Sequence, residues 1–259
     1  MVSVKTDLIR PDHQPWFKGY TGGTSNWLLD NPPKCFDWLF EERLKGHIPS
    51  NETALDMGSG NGRKTLLLSE AGIANVIGID MVPEAVQMAE DLAKHRPAKG
   101  KVEFINSKIL EYLKNIPDIS VHMITDTYVF THQIPDKEGD RVEDYVAEYY
   151  RILVPGGLLA LELFSAEDKH FYGKKLDQVE PTHTPEGKFA FKRYQYEYNP
   201  EIEEAKGAES YHNMHNMHYT QDGIRWILKD KFEILRIEIL PHSRHDHRRV
   251  LDVLARVTK

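Results

Sequence analysis

The chain reads as an α/β protein with a doubly wound, mostly parallel sheet, and three observations carry that reading. Apolar runs of strand length alternate with amphipathic stretches of helix length from Thr53 to Phe164. A glycine-rich turn, Asp56-Met57-Gly58-Ser59-Gly60-Asn61-Gly62-Arg63, joins the first of these strands to the first of these helices. About one strand and one helix later, Val76-Ile77-Gly78-Ile79-Asp80 is a second apolar run ending in an acidic residue. Strands that alternate with helices pair in parallel and place helices on both faces of the sheet.

Taken in order, residues 1–30 are polar but carry Trp16, Phe17, Tyr20 and Trp27, which reads as an irregular arm too short for a core of its own. Asn31-Pro32-Pro33 can open a helix, since proline is tolerated in a first turn. Phe36, Leu39, Phe40, Arg43 and Leu44 follow at helical spacing, which predicts one apolar face, and Pro49-Ser50-Asn51 ends it. Strands are expected at 53–57, 75–79, 102–106, 120–125 and 158–164. Helices are expected at 63–71, from Val82-Pro83-Glu84 to Ala93, briefly at 109–113, and from Val142 to Leu153. Pro155-Gly156-Gly157 reads as the stop after the last of these. Residues 166–217 then break the alternation. Phe189, Phe191, Tyr194, Tyr196 and Tyr198 alternate with polar residues across 188–198, which suggests an antiparallel strand, with 208–219 as its partner. A helix ending at Leu228 and two strands, 232–240 and 250–257, close the chain, the strands joined by a polar loop over 241–249.

At 259 residues this is one large α/β domain or two small ones. The reading adopted is a single domain, with residues 1–50 as arm and first helix and 166–217 as an inserted, β-rich cover. There is no run of eighteen apolar residues and no apolar signal-peptide core in Met1 to Trp16, so neither a membrane span nor secretion is expected. The single cysteine, Cys35, fits a reducing cytoplasm. A net charge of −7 does not favour nucleic acid, and a basic run such as Arg244 to Arg249 reads as solvated surface.

In an open parallel sheet, ligands bind beyond the carboxyl ends of the strands, where the strand order reverses. Asp56, Asp80, Ser107, Asp126 and the segment after Phe164 lie at such ends. The glycine turn itself admits two chemistries. A dinucleotide fingerprint requires a third glycine where this chain has Arg63, which disfavours an NAD-linked oxidoreductase. The D-x-G-x-G-x-G pattern of Asp56, Gly58, Gly60 and Gly62, with Asp80 ending the next strand, resembles the class I S-adenosylmethionine-dependent methyltransferases. The resemblance covers residues 53–165 well and 218–257 more loosely. It implies a Rossmann-like sheet with an antiparallel C-terminal edge, S-adenosyl-L-methionine as cofactor, and a ribose contact at Asp80 with Met81 beside the adenine.

The segment after the third strand departs from the family, which often has an aspartate there for the adenine amino group. Here Asn106-Ser107-Lys108 stands in its place, and Ser107 is the candidate substitute. Asp126-Thr127-Tyr128-Val129-Phe130-Thr131-His132 resembles the fourth motif of small-molecule methyltransferases. Asp126 would border the methionine end of the cofactor, and His132 could act as a general base. The arm and the late Arg- and His-rich loop loosely resemble the tellurite-resistance and thiopurine methyltransferase branch. Trp16, Tyr20, Tyr128, His215 and His218 are the candidate acceptor wall.

No metal is expected, because neither 212–218 nor 242–247 has a standard zinc spacing. The expected activity is methyl transfer by in-line displacement to a nitrogen, oxygen or sulfur of a small molecule. A homodimer through the inserted strands is a further option. The alternatives are a catalytically silent cofactor-binding module and a methyltransferase acting on a macromolecule. An N-P-P-Y-like tetrad is absent after the fourth strand.

Overall fold

The computed structural model describes residues 32–46, 49–96, 98–132, 141–168, 182–195, 215–242 and 245–259. The arm with Trp16 and Tyr20 lies outside them, as do the side chains of Tyr194, His215 and residues 242–247. Strands β1 (Thr53–Met57), β2 (Asn75–Asp80), β3 (Lys101–Asn106), β4 (Val121–Thr127) and β5 (Leu153–Phe164) alternate with helices α2 (Arg63–Glu70), α3 (Pro83–His95), α4 (Ile109–Leu113) and α5 (Val142–Ile152). Helix α1 (Lys34–Lys45) precedes them. After a small sheet of β6 (Thr182–His183), β7 (Phe189–Gln195) and β8 (His215–Tyr219) come α6 (Gln221–Leu228), β9 (Phe232–His242) and β10 (His245–Val257).

The main sheet runs β3-β2-β1-β4-β5-β10-β9. The first five strands pair in parallel, and β10 is antiparallel to both β5 and β9. This is the expected doubly wound sheet with an antiparallel edge, and its order reverses between β1 and β4. Side-chain alternation sorts the core by parity. Leu55, Met57, Ile124, Leu159, Leu161 and Val253 bury against the side that carries α5 and α6. Ala54, Met123, Leu158, Ala160 and Leu254 bury against α1, whose Cys35, Phe36 and Leu39 have no exposure. Each such large apolar side chain contributes roughly 1.5–3 kcal/mol on burial. Among the described residues no helix is long and apolar enough to cross a membrane.

Three local expectations are corrected. Leu44, placed on the apolar face of the first helix, is 71% exposed, because the helix ends before the sheet can cover that turn. Arg43 instead turns inward, pairing with Glu52 and donating to the carbonyls of Ala71 and Gly72. Pro155-Gly156-Gly157 does not separate helix from strand, because α5 ends at Ile152 and β5 begins at once. The three residues are carried inside β5 as an irregularity in its register with β4. The polar segment 241–249 is largely strand, so β9 and β10 form one long hairpin, with His245 opposite His242. Polarity does not oppose pairing at an edge hairpin, where one face meets solvent.

The described strands β7 and β8 share the main core. Ala190, Phe191, Met217 and Tyr219 belong to the core that α5 and α6 share. Phe191 packs against Tyr219 and Trp226, so its ring is committed within this chain.

Candidate active site

The turn after β1 closes at the carboxyl ends of β1 and β2. Ser59 N–H donates to the Ile79 carbonyl (3.0 Å), and Gly62 N–H to the Ser59 carbonyl (3.0 Å). Gly58 has φ +65°, and a Cβ there would lie 2.6 Å from Val129 Cγ2. Any side chain at 58 would therefore close the space between this turn and the end of β4. Gly62 serves a different purpose. It is buried, caps α2 with φ +78°, and a Cβ would meet Ala89 and Phe104 at 2.7 Å. It is a packing glycine, whereas Gly58 is exposed at the mouth.

Asp80 ties this turn to β2. Its Oδ2 accepts from Gly60 N–H (2.8 Å) and its Oδ1 from Val82 N–H (2.9 Å). Burial pushes its carboxyl up to about 6, against the pull of those two N–H groups. Each oxygen keeps a lone pair for a further donor. Met81 is half-buried beside it. Ser107 N–H donates to the Asp80 carbonyl (3.0 Å), while the Ser107 hydroxyl is turned to the Lys108 carbonyl (3.0 Å). Ser59 Oγ, within the turn, is buried with no hydrogen-bond partner.

Asp56 and Asp126 are occupied by the protein itself. Thr65 and Thr125 hydroxyls donate to the two oxygens of Asp56 at 2.6 and 2.9 Å, linking β1 to α2 and β4. Burial raises the Asp56 carboxyl above its ordinary value. Asp126 projects to the opposite face, where Tyr149 Oη donates to Oδ2 (2.8 Å) and Val129 N–H to Oδ1 (2.9 Å). Burial pushes its carboxyl up to about 7. Both aspartates thus hold the strand ends and the 3₁₀ turn Phe130–His132 in place rather than presenting free oxygens to a ligand.

Beyond β4 and β5 the structure gathers an aromatic cluster centred on Phe164. Its ring lies 4.8 Å from that of Tyr128, 5.3 Å from that of His218 in a stacked pose, and 6.3 Å from that of His132 edge-on. The Arg248 guanidinium sits 4.7 Å over it and pairs with the buried Asp168 (3.1 Å). Tyr128, at φ +68°, donates its N–H to the Glu162 carbonyl. His218 has no exposure, and its Nδ1 contacts the Ser165 carbonyl (3.0 Å). Burial drives that imidazole down to about 4. Strand β8 roofs the cluster, since Ala166 N–H donates to the Tyr219 carbonyl (2.8 Å) and Tyr219 Oη to the Phe130 carbonyl (2.9 Å).

Of the expected residues, Gly58, Gly60, Asp80, Met81 and Ser107 collect at one mouth, and Tyr128, His132 and His218 at the next. The sequence reading missed Phe164 as the centre, and Arg248 is an inward ion-paired side chain rather than solvated surface. It also missed Glu162 and Asp252, whose signal was a lone carboxylate inside each of the apolar runs 158–164 and 250–257. The described residues hold no group of three or more His, Cys, Asp or Glu placed to share a metal ion.

Residues 48–233 match the family described as a methyltransferase domain. The mouse EEF1A lysine methyltransferase 2 is 28% identical over 135 residues, which is 48% of this chain and 54% of that protein. The 27-O-demethylrifamycin SV methyltransferase of Amycolatopsis mediterranei is 29% identical over 122 residues, 46% of this chain and 42% of that one. The chain therefore matches about half the length of these relatives. The fold is also that of the Burkholderia thailandensis 1,6-didemethyltoxoflavin-N1-methyltransferase, with a TM-score of 0.64 at 16% identity, covering 94% of this chain and 86% of that one.

Proposed function

The chain belongs to the class I S-adenosylmethionine-dependent methyltransferases, and from that membership we propose that it methylates a nitrogen, oxygen or sulfur of a small-molecule acceptor. The cofactor supplies a methyl group on a sulfonium, activated for displacement. The residues present suit it. Asp80 offers two acceptor oxygens to a ribose diol, Gly58 leaves the backbone open, and Ser59 Oγ is a buried polar atom without a partner. Met81 and Ser107 would border the adenine. Asp56 and Asp126 would act at one remove, by positioning the strand ends.

On the acceptor side, Tyr128, Phe164, His132 and His218 exclude water around the reacting atom and hold the acceptor in line. Such positioning accounts for much of the acceleration in a displacement of this kind. Of the two histidines, His132 is the better base. His218 is fully buried, has one nitrogen against a carbonyl, and has its basicity pushed far below neutrality. A base is needed for a hydroxyl acceptor and dispensable for a neutral amine. The observation that supports the small-acceptor reading is the roof of β8 over the Phe164 cluster, which lays a strand across this end of β4 and β5.

A second reading, transfer to a lysine of a protein, draws support from the mouse relative, whose name gives it a protein lysine substrate. Incubation with methyl-labelled S-adenosylmethionine and two fractions of a cell extract, metabolites and proteins, separates them. Label in a metabolite supports the proposal, and label confined to protein replaces it with the second reading. Cofactor binding with no label in either fraction would leave a silent binding module.

A further inference from the structure

Two carboxylates lie buried on the α1 side of the sheet, outside the contacts described so far. Glu162 on β5 and Asp252 on β10 are directly opposite one another in the antiparallel register, 6% and 1% exposed. Like charges at that spacing repel, and apolar surroundings penalise both. Burial accordingly pushes Asp252 up to about 8, with Glu162 adding to the effect, and burial raises Glu162 as well.

The protein answers only part of this charge. Asp252 Oδ2 accepts from Cys35 N–H (2.8 Å) in the first turn of α1, where the helix end favours an anion. Asp252 Oδ1 is buried and has no hydrogen-bond partner. Tyr128 Oη points toward Glu162 without closing a hydrogen bond of normal geometry. Lys64 lowers both carboxyls through its field, yet no ion pair joins it to either. Lys34, at the rim, is committed to Asp37 (2.5 Å). Among the described residues, no ion pair therefore neutralises either carboxyl.

Both carboxylates line a cavity of about 190 Å³ whose remaining walls are Pro32, Pro33, Leu240, Pro241 and Val250, with the Lys34–Asp37 ion pair among them. At about 30 Å³ per water, that is the room of roughly six water molecules, or an ammonium group with a short carbon chain. Largely apolar sides, with the mutually paired Lys34 and Asp37, and a floor of two carboxyls select a cation that has an apolar body. A small inorganic ion would leave those walls without contacts.

We propose that this cavity is a binding site for an organic primary ammonium group, held by Asp252 Oδ1 and the Glu162 carboxylate and packed against the proline-rich rim. The site adjoins the acceptor side through Tyr128, whose backbone is bonded to Glu162. The site stands whichever atom is methylated. A free amine and a lysyl side chain present the same ammonium chemistry to that floor.

The test uses the full chain and saturation-transfer NMR with millimolar n-butylammonium, n-butanol, magnesium ion and an acetylated, amidated Gly-Lys-Gly peptide as separate probes. n-Butylammonium should bind saturably and at least tenfold more tightly than n-butanol, and Glu162→Gln with Asp252→Asn should remove that preference. Retained S-adenosylhomocysteine binding shows that the double variant is folded; if it is not, the single Asp252→Asn variant carries the same expectation. Saturable binding of the peptide on these two carboxylates assigns the site to lysyl groups, and its failure beside n-butylammonium assigns it to free amines. Equal binding of amine and alcohol, displacement of the amine by magnesium, or an unchanged preference in the variants would overturn the inference. A chain that binds S-adenosylhomocysteine but not the amine loses this site and keeps the methyl-transfer reading, and the converse result separates them the other way.

Discussion

The ends of β1 and β2 and the ends of β4 and β5 are adjacent mouths of one sheet, built on different principles. The first is built around one short stretch, Gly58 to Gly62. Its turn is ordered by main-chain bonds and by Asp80, twenty residues downstream, gripping Gly60. The second is assembled from Tyr128, Phe164, His218 and Arg248, segments up to 120 residues apart, around an aromatic ring. The first suits a ligand of fixed chemistry, recognised by backbone. The second is made of side chains on a less regular frame, the kind of surface on which specificity varies.

Substitutions that strike one mouth and spare the other sharpen this contrast. The largest effect is expected from Gly58→Val, which puts a branched side chain at positive φ and against Val129. Strain of about 1–3 kcal/mol and a blocked mouth should together lower cofactor affinity by roughly a thousandfold in calorimetry. Unchanged affinity would mean that the turn is not the cofactor site.

Asp80→Ala comes next. Losing hydrogen bonds to a charged acceptor, about 1.5–3 kcal/mol each, should weaken S-adenosylhomocysteine roughly a hundredfold. In the wild type, affinity should also decline as pH falls through about 6, where the carboxyl gains a proton. A flat affinity between pH 5 and 8 would argue against Asp80 as an ionised acceptor.

Phe164→Ala should do the reverse. It removes the ring that Tyr128, His218 and Arg248 share, so KM for the acceptor should rise about tenfold, on the scale of aromatic and cation–π contacts, with cofactor affinity retained. If cofactor affinity falls instead, the two mouths are not separable.

Asp126→Asn has the smallest expected effect on function and acts on stability. The folded carboxyl titrates near 7 and an unfolded one near 4, so the folded state binds the extra proton between these values. Its contribution to stability is therefore greatest at the acid end and declines as pH rises from about 4 to 7. The amide can still accept from Val129 and donate to Tyr149, so Tm at pH 8 should hold or rise and the decline across that range should flatten. An unchanged slope would place the titration elsewhere.

How far each mouth could be read from the chain follows from the same contrast. Gly58, Gly60 and Asp80 announce themselves because a turn needs glycine and a strand end needs a cap, both local demands. Asp56 and Asp126 were legible as strand-end carboxylates, yet their partners, Thr65, Thr125 and Tyr149, are not. Those pairings depend on which strands lie side by side and which face each residue takes. Phe164 looked like one more apolar residue closing a strand, and Arg248 like one more surface cation. Leu44 and the polar run 241–249 misled for a related reason, because helical spacing and polarity do not say where the covering element stops.

The alternation of strands and helices, the glycine turn after β1 and the carboxylate that ends β2 are properties of the chain read alone. These are set by side-chain period, backbone freedom at glycine and short-range hydrogen bonding, all of which act within a few residues. That Asp56 and Asp126 serve the frame, that Phe164 centres an aromatic cluster, and that Glu162 faces Asp252 across β5 and β10 emerged with the packing. Those facts rest on strand order, register and burial, which come into being only when distant segments pack and exclude water.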